Sequence, residues 1–297
     1  MTRQLTEAEI TNMGVEPTLI ADPSNAEQAG AWDGSEGAFW AAQARRFDET
    51  LANFHGPFLA AAAIHQSDHV LDVGCGTGQV TRDVALTAAD GSALGVDLSS
   101  QMLALAWEIA AADGLDNIDF QHADAQIHPF GDGAFDAVVS RMGSMFFGDP
   151  IAAFTNLHRA LRPDGRLTLL TWQGVADNEW LTEFRAAVAV GRTLPTPPPD
   201  APSPFSLSDP DRVTAILRDA GFTNVSFESL QETIRFGPDP DDTFDFVSGL
   251  TGWMRDGLDD DGQEAALAAL RRSIVEHADD QGVTYQSSTW IIQADRP

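Results

Sequence analysis

The chain has 297 residues, 43% of them hydrophobic, enough for one sizeable α/β domain with an added cap or for two small domains, so wholesale disorder is excluded. Asp and Glu number 45 against 17 Lys and Arg, a formal net charge of −28 in which every cation is Arg. Such a field repels phosphate backbones and anionic lipid, so neither nucleic acid nor a membrane surface is an expected partner; the acidity reads first as solubility and second as a preference for cationic substrates.

In chain order, Met1 to Gly37 is acidic, carries Pro17 and Pro23 and shows no sustained period, which predicts an arm that wraps the surface or is partly disordered. From Ala38 to Ile64 the pattern turns helical, with Phe39, Trp40, Phe47, Leu51 and Phe54 near one face until Gly56-Pro57 breaks it. Val70 to Val73 is a short apolar run that includes Asp72 and ends in Gly74, Gly76 and Gly78 around Cys75. That is how a buried strand enters a tight turn opening a helix, here Gly78 to Thr87. Glycines there would let backbone N–H groups approach a ligand. Cys75 is the only cysteine, so no intrachain disulfide can form and a reducing cytosol fits. It reads as a small packing residue.

A second buried strand, Ala93 to Val96, ends in Asp97, about 20 residues on, where a carboxylate can accept hydrogen bonds from both hydroxyls of a ribose. Leu98 and Met102 follow that strand, and Ser99 or Ser100 caps a helix over Gln101 to Asp113, closed by Gly114. Ile118 to His122 reads as a third strand, followed by Ala123-Asp124-Ala125. The stretch Phe130 to Phe147 holds a fourth, with Asp136 at its entry and Ser140, Arg141 and Met142 at its exit. A helix over Ile151 to Leu161, a turn at Arg162 to Gly165 and a fifth strand over Arg166 to Trp172 complete this half.

Val175 to Val190 has a helical pattern, and the proline-dense Leu194 to Pro204 is an extended connector. Ser208-Asp209-Pro210 starts a helix that Gly221 ends. Asn224 to Phe236 and Thr284 to Ala294 alternate as an antiparallel edge pair, with an acidic helical insertion over Asp239 to Asp280 between them. The acid runs at Asp239 to Asp245 and Asp259 to Asp261 read as solvated rather than metal-binding, and no His/Cys spacing suggests zinc. No early segment combines a basic start with an apolar run, and none is long enough to span a bilayer, so a cytoplasmic protein is expected.

Asp72-x-Gly74-x-Gly76-x-Gly78 differs from the G-x-G-x-x-G turn of dinucleotide folds, and its acid would stand beside any pyrophosphate. A ligand with a positive centre and an amino-acid end suits it better. The stretch resembles motif I of the class I S-adenosylmethionine-dependent methyltransferases, of the ubiquinone/menaquinone-biosynthesis type, and the resemblance extends over about Val70 to Thr171. It implies a doubly wound, seven-stranded, mostly parallel α/β sheet with an antiparallel edge strand and helical cap insertions. It further implies S-adenosylmethionine as cofactor and a small-molecule methyl acceptor, with no metal and a monomer or homodimer. By the same resemblance Asp72, Gly74, Cys75, Gly76 and Gly78 take the methionine portion, Asp97 the ribose and Asp124 the adenine amine. The Ala125 N–H reaches the ring, and Leu98, Met102, Ser140 and Arg141 border the cofactor. Trp40, Arg46 and Phe47 either line the cofactor or acceptor or pack their helix on the core. Residues 1–64 form the N-terminal arm and cap helix, and 65–297 the methyltransferase domain with acceptor-shaping insertions at about 175–210 and 238–283. None of the seven histidines stands out as a base, and no catalytic residue is assigned. A nicotinamide-dependent oxidoreductase and a non-catalytic nucleoside-binding protein are the alternatives.

Overall fold

The computed structural model describes residues 19–195, 198 and 200–297, so the first 18 residues of the expected arm lie outside the described residues. The parallel strands are β1 (His69–Val73), β2 (Ser92–Asp97), β4 (Phe135–Arg141) and β5 (Leu161–Trp172), buried over most of their length, and β3 (Ile118–His122), which alternates buried and exposed residues at the sheet edge. Strand β6 (Thr223–Gly237), the two-residue β7 (Ala278–Asp279) and β8 (Gly282–Asp295) complete one sheet of order β3-β2-β1-β4-β5-β8-β6, with β7 paired to β8. β8 runs antiparallel to both β5 and β6, so the antiparallel strand stands one place in from the sheet edge and β6 forms the edge. The chain leaves β1 toward β2 and β3 on one side and resumes at β4 and β5 on the other. The order therefore reverses between β1 and β4, and ligands of open α/β sheets bind in the crevice beyond the strand ends at such a point.

Helices α5 (Gln79–Thr87), α6 (Ser100–Ala112) and α7 (Pro150–Ala160) are the crossovers. Ser99 caps α6 by accepting from the Met102 N–H, and Asp149 caps α7 by accepting from Ala152. The described part of the acidic arm is more ordered than its composition predicts. From Pro23 it forms a 3-10 turn, then α1 (Ala26–Trp32) and α2 (Ser35–Ala42). The helix expected over Ala38 to Ile64 is interrupted at Gln43 and Leu51, giving α3 (Ala44–Thr50) and α4 (Ala52–Ala62). Gly56-Pro57 does not break α4; Pro57 sits inside it, at the loss of one helical hydrogen bond. What holds it is burial: Phe54 and Phe58 are fully enclosed.

Beyond β5 come α8 (Glu179–Ala189), α9 (Pro210–Asp219), α10 (Pro240–Leu250) and α11 (Asp260–Glu276). The acid runs of the insertion are helix starts. Asp239 accepts from the Asp241 and Asp242 N–H groups, Asp259 accepts from Gly262, and further acids fill both first turns. Among the described residues no helix is long and apolar enough to cross a membrane.

Candidate active site

The glycine turn after β1 is tight because it is packed from two sides. All three glycines have positive φ, and a Cβ on Gly74 would fall 2.7 Å from the Gly143 Cα in the loop after β4. A Cβ on Gly78 would fall 2.7 Å from the Phe120 ring. Only Gly76 borders open space, its nearest such contact being the Met102 sulfur at 3.8 Å. The N–H groups of the turn are mostly spent inside it: Gly74 and Cys75 donate to the Val96 carbonyl, Gly76 to Asp97 and Gly78 to Cys75. The expectation of N–H groups aimed at a ligand is therefore corrected. The turn makes room through the missing side chain of Gly76, and Thr77 alone there keeps an N–H without a partner among the described residues.

Two buried carboxylates flank this turn. Asp72 is 1% exposed and accepts from the Thr81 hydroxyl at 2.6 Å. Burial pushes its carboxyl up to about 7, against the Thr81 hydrogen bond and the Arg141 charge, with Asp97 adding to the rise. Asp97, at the tip of β2, accepts from the Gly76 N–H at 2.8 Å and the Ser99 N–H at 2.9 Å. Burial raises it too, and those donors resist the rise. Because Val73 and Val96 are register partners, the two strand tips are neighbours. Burial, helped by the two carboxylates, lifts the Cys75 thiol well above its ordinary value, which agrees with packing and not with a nucleophile.

The loop after β3 holds Asp124 where expected, with its carboxylate already engaged. Oδ2 accepts from the Asp22 N–H at 2.9 Å, and Oδ1 accepts from the Asn25 side-chain amide at 3.0 Å and the Gln126 N–H at 2.9 Å. Asn25 is 1% exposed and accepts from Gly148 N–H, while the Gln126 amide donates to the Ser24 hydroxyl. The arm is thus fastened over this end of the sheet, and Asp33 fastens its far end by accepting from the Ser100 N–H and hydroxyl. The Ala125 N–H has no partner among the described residues.

These elements enclose a cavity of about 430 Å³, a size usual for small-molecule sites. Asp72, Gly74, Cys75, Gly76, Asp97, Leu98, Met102, Asp124, Ala125, Arg141, Trp40 and Phe47 all line it. Gly78 and Ser140 do not. Gly78 opens α5 against Phe120, and the fully buried Ser140 hydroxyl bridges the Val73 carbonyl and the Ser144 N–H. Arg46 turns away to pair with Asp242 and to lie 4.7 Å over the Phe246 ring. Trp40 stacks on Phe47 at 3.5 Å and meets Trp32 edge-on, and Trp32 meets Phe146. Trp40 and Phe47 thus line the cavity while also packing against neighbouring rings.

Arg141, at the exit of β4, donates to Asp48 at 2.9 Å, to Gln79 at 2.5 Å and toward His55 Nδ1 at 3.1 Å, while His55 Nε2 meets Asp83 at 2.7 Å. The next residue, Met142, takes a left-handed φ of 62°. Asn25, Trp32 and Asp48 carry no motif; the first two come to the cavity through folding of the arm and Asp48 through α3. Trp172, Trp180 and Phe236 close the other end.

A family model described as a methyltransferase domain matches residues 71–169. An uncharacterized protein of Mycobacterium tuberculosis is 36% identical over 125 residues, which cover 42% of this chain and 44% of that protein. A demethylmenaquinone methyltransferase of Symbiobacterium thermophilum is 35% identical over 119 residues, 39% of this chain and 47% of that enzyme. The chain thus spans less than half the length of these relatives. Among solved structures, phosphoethanolamine N-methyltransferase 2 of Haemonchus contortus, in complex with S-adenosyl-L-methionine, matches with a TM-score of 0.55 at 16% identity over 93% of this chain and 60% of that one, a likeness of fold. Residues 71–169 thus match a methyltransferase domain, and the cavity lies at the point where the strand order of that stretch reverses.

Proposed function

We propose that this chain transfers a methyl group from S-adenosylmethionine to a small-molecule acceptor. The observation that carries the reading is a single cavity bordered at once by the Gly76 gap, the Asp97 carboxylate and the free Ala125 N–H, with buried acids at one end and aromatic rings at the other. The residues suit the cofactor. Burial raises both Asp72 and Asp97, against the Arg141 charge at Asp72 and backbone N–H donors at Asp97, so a ligand bearing an ammonium and a sulfonium relieves that burial. A pyrophosphate would add like charge there, and no observation favours the nicotinamide reading.

Asp97 holds the ribose hydroxyls, and the Ala125 N–H meets the adenine ring. Asp72 and the Gly74 to Gly76 turn bound the methionine end, and Leu98 and Met102 border the adenosine. Asp124 acts through the arm it fastens, so that Asn25 and Trp32 shut the nucleoside end from water. The bound cofactor supplies a methyl group already activated for in-line displacement. The chain then contributes alignment and dryness, and alignment alone is worth roughly 7–11 kcal/mol. The arm and cap helix occupy 1–64 and the catalytic domain 65–297, with the insertions at about 175–210 and 238–283 shaping the acceptor pocket. The protein works without a metal, in the cytosol, as a monomer or homodimer.

Incubation with methyl-labelled S-adenosylmethionine and a metabolite extract tests this. A labelled small molecule and stoichiometric S-adenosylhomocysteine are expected, and turnover of neither would reject it.

A further inference from the structure

The cavity is also lined by a carboxylate without an assigned task. Asp48, on α3, lines the cavity beside the aromatic Phe47. Its Oδ1 accepts from Arg141 Nη2 at 2.9 Å, and its Oδ2 has no hydrogen-bond partner among the described residues. Arg141 is in turn held by Gln79 and by His55, which Asp83 backs, so the guanidinium that fixes Asp48 is itself fixed by two further side chains. With a side chain only 21% exposed, Asp48 is a held carboxylate with one oxygen unspent, facing an enclosed space.

Beyond Asp48 the walls are apolar and come from outside residues 71–169: Trp172, Trp180, Phe205, Phe236, Trp253 and Met254. The one charged side chain on that side, Arg185, is turned to the Leu194 and Pro195 carbonyls at 3.2 and 3.1 Å. Arg185 apart, these aromatic and Met walls offer an anionic group no charge-assisted hydrogen bond, so burying a phosphate, carboxylate or sulfate of the acceptor against them costs several kcal/mol. Trp253, 57% exposed although it borders the cavity, marks an apolar mouth.

We propose that Asp48 is the residue that recognises the acceptor, its Oδ2 accepting the hydrogen bond of the one O–H or N–H group to be methylated, on a molecule otherwise neutral and apolar. The proposal rests on the methyltransferase reading above and adds to it a specificity-determining residue and a substrate class.

The test is calorimetry on the full chain saturated with S-adenosylhomocysteine, using 4-butylphenol, its methyl ether 4-butylanisole and the anion 4-hydroxybenzoate as probes. The wild type is expected to bind the phenol at least tenfold more tightly than the ether and to reject the benzoate. Asp48→Ala is expected to erase the preference for phenol over ether. Asp48→Asn, which still offers Arg141 an oxygen, is expected to reduce that preference at least threefold and serves if the alanine variant does not fold. A preference unchanged in the folded variants overturns the role of Asp48, and benzoate binding as tightly as the phenol overturns the substrate class. Absence of S-adenosylhomocysteine binding in the first titration would instead overturn the methyltransferase reading itself.

Discussion

Asp72 gives the sharpest consequence of this site for stability. In the folded chain it is buried, and its carboxyl titrates near 7 where an exposed aspartate has 3.8. That difference corresponds to ~4 kcal/mol between the two protonation states. Below about pH 4 the group is neutral both folded and unfolded, and it adds nothing to the pH dependence. Between about 4 and 7 the unfolded chain gives up the proton while the folded one keeps it, so stability falls as pH rises. Above 7 the full cost of the buried charge is present. Asp72→Asn removes the ionisation and retains an oxygen for the Thr81 hydroxyl that now bonds Oδ2. Urea unfolding of wild type and variant at fixed ionic strength, from about pH 3.5 to 8, should therefore show near-equal stabilities at the acid end. The variant should gain on the wild type with rising pH, by ~4 kcal/mol in all. A difference that stays constant across that range would refute the reasoning, because it would show that Asp72 titrates alike in both states.

Asp97→Asn should weaken S-adenosylhomocysteine binding by ~1–3 kcal/mol, since it removes charge-assisted hydrogen bonds to the ribose, and an unchanged dissociation constant would show the ribose to lie elsewhere. Asn25→Ala deletes the amide that donates to Asp124 and accepts from Gly148, leaving the buried Asp124 carboxylate and the Gly148 N–H each one partner short. It should cost ~1–3 kcal/mol of local stability, read as faster hydrogen exchange over residues 22–33 with little change in the sheet. Exchange in the arm equal to the wild type would contradict the fastening described here.

Much of the sheet was legible because its signals are local. Buried strands such as β1 and β2 announce themselves as apolar runs stopped by glycine or acid, and Ser99, Asp149 and Asp209 mark helix starts through bonds to residues two or three positions on. The arm was not legible. Its acidic, proline-bearing sequence lacks a period, and what orders it is a set of contacts about 100 residues away, Asp22 and Asn25 with Asp124 and Ser24 with Gln126. The same cause hid half of the site. Asp97 and the glycines stand at strand tips, where topology predicts a ligand, whereas Asp48 and Trp32 reach the cavity from helices whose pattern speaks only of packing. Ser140 and Gly78 show the converse: residues placed beside the crevice by sequence position spend their groups on holding the turn and the loop after β4.

The most direct trial of the whole account is a calorimetric titration of the chain with S-adenosylhomocysteine and, separately, with NAD. One site per chain for the sulfur compound, weakened by ~1–3 kcal/mol in Asp97→Asn, and no heat with NAD is the predicted result. Tight NAD binding, or no adenosine compound bound at all, would contradict it.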